Sequence, residues 1–154
     1  MLEVRWANEQ DVADLLTVEE KCFTVYYYGQ YKFGENDFRD YLGNARCIFL
    51  VAVLKSRPIG YVAGSIALSR TQGIAHVDSI GVRPKAQKKG VGSRLLRSFV
   101  REAQDRHCKV VMLEVATANE DGLAFFAKHQ FREIRKLPDY YGEGVDGVLM
   151  IADI

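Results

Sequence analysis

Apolar and polar positions alternate in short runs along the chain, broken by longer stretches with a helical period. The pattern predicts a strand over 2–6 and a helix over 9–22. Asn8 can cap that helix, and Val12, Leu15, Leu16 and Val18 recur along one side of it. An aromatic stretch follows, from Phe23 through Tyr26, Tyr27, Tyr28 and Tyr31 to Phe33, and then a short helix over 35–42. The unbroken apolar run from Cys47 to Leu54 predicts a strand, a turn at 55–58 follows, and further strands are expected over 59–68 and 74–82. The helical period returns over 90–106, with Val91, Leu95, Phe99, Val100 and Ala103 inward and Arg94, Arg97 and Arg101 outward. A strand over 110–115, a helix over 120–129 capped by Asn119, and strands over 131–136 and 145–153 complete the chain. A meander followed by two strand–helix–strand units predicts an α/β (α+β) fold, a mixed sheet with helices on both faces.

The chain has 154 residues, with no linker or internal repeat, which fits one domain over 1–154. The longest apolar run is far shorter than the ~20 residues of a membrane helix. The N-terminus lacks the basic and apolar regions of a signal peptide. Cys22, Cys47 and Cys108 are odd in number and far apart, and no Cys/His spacing suits zinc. These features predict reduced thiols in a cytoplasmic protein without a metal or a membrane partner.

Net charge is +1, but the segment 83–106 holds eight Lys or Arg against two acidic residues, and the rest of the chain is net acidic. One basic block in a near-neutral protein points to a local anionic ligand rather than to nucleic acid. That block contains Gln87-Lys88-Lys89-Gly90-Val91-Gly92-Ser93, between a strand and an amphipathic helix. Glycines at 90 and 92 allow close approach to the backbone, and helix N-terminal amides favour negative charge. The segment therefore describes a phosphate or pyrophosphate cradle, although a Gly-x-Gly also opens many helices that bind nothing. It is not a nucleotide P-loop, because no Gly-Lys-Ser/Thr is present. Leu95 stands where a dinucleotide fingerprint has its third glycine.

Preceded by Ile80-Gly81-Val82-Arg83-Pro84, this loop resembles the acetyl-CoA motif of the GNAT superfamily of N-acetyltransferases. Leu113-Glu114-Val115 followed by Asn119, and the ending Ala124-Phe125-Phe126 through Gln130-Phe131, resemble that family's later motifs. The late segment from Asp139-Tyr140-Tyr141 to Met150 is similar to the ribosomal-protein-alanine and Ard1-like protein Nα-acetyltransferases. The resemblance implies a mostly antiparallel sheet of about seven strands, splayed between the fourth and fifth. It also implies acetyl-CoA in that splay, contacted by Ile80, Gly81, Val82, Gln87, Lys88, Lys89, Gly90, Val91, Gly92, Ser93, Asn119 and Phe126. The acceptor it implies is a protein or peptide N-terminus, the enzyme being a monomer or weak homodimer.

An amine can attack a thioester directly, so no protein nucleophile is needed. The protein must orient the reactants, take the amine proton and stabilise the oxyanion. Glu114 is the expected base: it stands among Val110, Val111, Met112, Leu113 and Val115, where an unpaired carboxylate would be costly, the alternative being a carboxylate at a strand end, exposed or salt-bridged. His76 stands on the preceding strand, and if the two strands are neighbours both could reach the amine, directly or through water. Asp78 shares the parity of His76. Phe126 departs from the family, whose tyrosine there protonates the leaving thiolate, and Tyr140 or Tyr141 could replace that donor. Gln130 stands in place of a glycine. Tyr26, Tyr27, Tyr28, Tyr140 and Tyr141 are candidate walls of the acceptor groove. The alternatives are a small-amine acetyltransferase and a non-catalytic CoA-binding protein.

Overall fold

The computed structural model describes residues 1–22, 33–68 and 72–154. Its elements are β1 (Glu3–Trp6), α1 (Val12–Cys22), α2 (Glu35–Tyr41), β2 (Cys47–Leu54), β3 (Arg57–Leu68), β4 (Gly73–Val82), α3 (Val91–Asp105), β5 (Cys108–Ala116), α4 (Glu120–Lys128), β6 (Arg132–Leu137) and β7 (Gly147–Asp153). Among the described residues, seven strands form one sheet in the order β1-β2-β3-β4-β5-β7-β6. Every pairing is antiparallel except β4 with β5.

β2 is apolar throughout because both its faces are covered. Phe49, Val51 and Val53 pack with Val12, Leu15, Val18 and Phe38 of α1 and α2, while Ile48, Leu50 and Ala52 face the core built on Leu95, Leu96 and Phe99 of α3. Phe126 of α4 joins that second core, so helices lie on both faces as expected.

The observed boundaries depart from the expected ones for local reasons. The stretch predicted as one helix over 9–22 begins instead with a 3-10 turn, Glu9–Asp11. Asn8 caps it by accepting from Gln10 N, Asp11 returns a bond to Asn8 N, and buried Asp11 pairs with Arg5 through both carboxylate oxygens. α3 starts after Gly90, whose φ of +85° is left-handed and cannot belong to the helix. Within α3, Leu96 is buried, a position the inward stripe omitted, and Val100 is only partly covered.

Two irregularities shape the centre of the sheet. Between β3 and β4, Ala63 pairs with Ser79 and Gly64 with Val77, which leaves Asp78 as an extra residue in a bulge. His76, opposite Ser65, and Ser79, opposite Ala63, consequently share a face that strict alternation would deny them. The second irregularity is the splay. β4 pairs with β5 only from Gly73 to His76, opposite Cys108 to Met112, whereas β5 continues along β7 as far as Ala116. Beyond His76 the two parallel strands part. Among the described residues no helix is long and apolar enough to cross a membrane.

Candidate active site

Where β4 and β5 separate, one polar chain crosses the opening. His76 is the last paired residue of β4, and Glu114 lies two residues past its partner Met112, on the same face. His76 Nε2 is 2.7 Å from Glu114 Oε1 and 2.9 Å from Oε2. On the other side of the ring, His76 Nδ1 bonds Asp78 Oδ1, and the Tyr41 hydroxyl at the end of α2 donates to Asp78 Oδ2. At the far end, the Tyr140 hydroxyl in the β6–β7 loop donates to Glu114 Oε1 at 3.2 Å. Five residues from four separate parts of the chain thus form one line.

A neutral imidazole has one bare nitrogen, and here each nitrogen meets a carboxylate oxygen, so both must carry protons. Burial works to lower the His76 pKa, but hydrogen bonds and charge from Asp78 and Glu114 outweigh it and raise it to about 9. The Tyr41 phenol is pushed up by burial and by Asp78 and remains a donor. The Asp78–His76–Glu114 unit thus holds an imidazolium between two acidic side chains.

Glu114 takes the paired alternative: strand alternation turns Val111, Leu113 and Val115 into the core and turns Glu114 toward His76 and Tyr140. His76 contacts it directly. Asp78, noted in the sequence only for its parity, flanks the ring on its Nδ1 side. Tyr41 carries no signal in the sequence, because only packing brings the end of α2 to β4.

The glycine loop lies at the other end of β4. Val82 ends the strand, and its carbonyl accepts from Gln87 Nε2 at 2.9 Å, which folds the loop back on the strand. Lys88, with φ +60°, and Gly90, with φ +85°, give the loop its left-handed turns. The first bond of α3 runs from Arg94 N to Gly90 O, so the amides of Val91, Gly92 and Ser93 precede the helical ladder and are directed at the loop. Ile80 is partly buried against the α3 core, while Gly81 pairs with Tyr61. The sequence reading missed the wall of this loop. Ser93 Oγ is 2.8 Å from His129 Nε2, and a Cβ at Gly92 would lie 3.4 Å from the Phe125 ring.

Asn119 caps α4, its Oδ1 accepting from Gly122 N at 3.0 Å. Phe126 is 7% exposed and packs edge-on against Phe125 and Phe131. Gln130 takes φ +72°, the left-handed conformation that favours a glycine there. Tyr140 is exposed and edge-on to Tyr141 at 4.9 Å, but only Tyr140 is bonded to Glu114. Tyr26, Tyr27 and Tyr28 lie outside the described residues.

The mixed sheet is thus splayed between β4 and β5, and a basic glycine loop opens α3. The model of the acetyltransferase (GNAT) family matches residues 12–131, and the chain belongs to that family. An N-alpha-acetyltransferase of Sulfolobus acidocaldarius is 29% identical over 161 aligned positions, spanning 99% of this chain and 92% of the relative. The ribosomal-protein-S18-alanine N-acetyltransferase of Escherichia coli superposes with a TM-score of 0.85 at 20% identity, covering all of this chain and 94% of its own. NAA60 of Arabidopsis thaliana, in complex with acetyl-CoA, superposes at 0.86 with 19% identity, over all of this chain and 99% of its own. At those identities the structural likeness is one of fold. This chain is an acetyl-CoA-dependent N-acetyltransferase.

Proposed function

We propose that the chain, acting as one domain over 1–154, transfers acetyl to the α-amino group of a protein or peptide N-terminus by direct attack in a ternary complex. The observation that carries this reading is the His76–Glu114 pair with Tyr140, set where β4 and β5 part. The name of the Sulfolobus relative supports the choice of acceptor.

The residues present fit acetyl-CoA. The left-handed positions at Lys88 and Gly90 open a cradle in front of the amides of Val91, Gly92 and Ser93, where a pyrophosphate would bind, and Lys88 and Lys89 add positive charge. The main chain at Ile80, Gly81 and Val82 borders the splay and would meet the pantetheine arm. Asn119 Oδ1 is already engaged as a cap, so a contact from this side chain would use Nδ2. Phe126 is carried as a cofactor neighbour on the family resemblance alone.

Acetyl-CoA supplies the thioester carbonyl: the amine nitrogen bonds to its carbon, the C–S bond breaks, and the thiolate is protonated. Glu114 faces the acceptor's ammonium group and receives its first proton. His76, held as imidazolium, fixes the orientation of Glu114. Tyr140 protonates the thiolate, in the role that Phe126 cannot fill, and is reprotonated by the second proton, which the nitrogen sheds after attack.

Incubating the protein with acetyl-CoA, a pool of peptides with free N-termini and small polyamines tests this, with products read by intact mass and fragmentation. Acetyl label on peptide α-amines is the expected result. Modified polyamines alone would move the function to small-amine metabolism. Acetyl-CoA binding without any product would make the protein a non-catalytic member of its family.

A further inference from the structure

We infer that Asp78 and Tyr41 are positioning residues: together they hold the His76 ring, and through it Glu114, and tie α2 to the reaction centre. This rests on the proposed roles of His76 and Glu114.

Asp78 owes its place to the bulge. It is the residue left over between the pairs Ala63–Ser79 and Gly64–Val77, so its side chain is re-aimed toward His76 rather than fixed by the ladder. Both carboxylate oxygens are then used, one by His76 Nδ1 and the other by the Tyr41 hydroxyl. Tyr41 is in turn fixed by packing. Its ring stacks on Phe33 at 5.6 Å and 18° and meets Phe49 edge-on at 6.0 Å, within the core beneath α1 and α2. The anchor is therefore a packed aromatic cluster, and the chain of bonds ends on the carboxylate assigned to take the proton.

A partner on Nδ1 decides what Nε2 can do. With Asp78 accepting from Nδ1–H, the ring cannot turn over, and Nε2–H stays on Glu114. Without Asp78, one tautomer of the neutral ring presents a bare Nε2 to Glu114 and repels it. Among the described residues, the titratable groups facing His76 are Asp78 on its own strand and Glu114 on β5. Behind them stand Tyr41 of α2, Tyr140 of the β6–β7 loop and the Cys47 thiol of β2, near Asp78.

The test uses the full chain with 15N-labelled histidine, in wild-type form and as Asp78→Asn and Tyr41→Phe. Tyr41→Phe removes one hydroxyl and keeps the packed ring, so it remains informative if Asp78→Asn folds poorly. The His76 titration midpoint is read by NMR, and kcat, its pH profile and the KM for acetyl-CoA are measured with an acceptor peptide that has a free N-terminus. In Asp78→Asn the midpoint is expected to fall toward that of ordinary histidine, kcat to drop about 10–100-fold and the KM for acetyl-CoA to stay within about twofold. Tyr41→Phe is expected to move all of these in the same direction by a smaller factor. A midpoint unmoved in both variants overturns the inference, whatever the activity. A midpoint that moves in the variants, when the wild-type protein acetylates no amine, upholds the positioning and overturns the proposed function instead.

Discussion

His76 Nε2 lies within 2.9 Å of both carboxylate oxygens of Glu114, across a pair of strands that have ceased to bond at that level. The side chains bridge a gap that the main chain leaves open. That arrangement sets an imidazole against a carboxylate at the point where the two strands part.

The first prediction concerns pH and stability. The folded pKa of His76 is raised to about 9, against about 6.5 for an unfolded chain. Between those values the folded state binds more protons than the unfolded one, so stability falls as pH rises. The contribution is complete below about pH 6.5 and gone above about 9. Thermal melts of wild type and His76→Gln over pH 6–9.5 should therefore converge as pH increases. Parallel curves would contradict the paired imidazolium.

Glu114→Gln removes the proposed proton acceptor and keeps the shape. We expect kcat to fall by about 10²-fold or more, the scale of general base catalysis, with acetyl-CoA affinity by calorimetry nearly unchanged. An unaltered kcat at neutral pH would remove Glu114 from that role.

Tyr140→Phe should lower kcat about tenfold or more, because it deletes the hydroxyl that reaches Glu114. Phe126→Tyr should give little gain, since its ring is packed between Phe125 and Phe131 with 7% exposure. Single-turnover rates for the two variants check both statements. A large gain in Phe126→Tyr would place the missing acid at 126 instead.

Gly64 stands at the bulge that displaces Asp78. A Cβ there would lie 2.1 Å from the His76 carbonyl oxygen and 2.6 Å from Phe99 Cζ. Gly64→Ala must shift β4 or α3, so we expect a loss of about 3 kcal/mol and a Tm lower by roughly 6–12 °C. Denaturant and thermal unfolding read this directly. An unchanged Tm would mean that the close approach at the bulge is not needed.

Much of this was legible in the residues alone. The apolar run at Cys47 to Leu54, the inward stripe of α3 and the caps at Asn8 and Asn119 each reflect local physics: burial on two faces, a 3.6-residue period and amides seeking acceptors. The glycine loop was legible for the same reason, since left-handed turns and exposed amides are properties of a few consecutive residues. His76 and Glu114 could be named as candidates because each is a titratable group on an inner strand, Glu114 within the family-like Leu113-Glu114-Val115. Only the tertiary structure decided that they touch, that Asp78 leaves the ladder to hold the ring, that Tyr41 reaches Asp78 from α2, and that Tyr140 rather than Tyr141 reaches Glu114. Those contacts join residues as many as 38 positions apart. They depend on strand order, on one bulged residue and on where two strands stop pairing, and periodicity along a chain carries no record of such long-range choices.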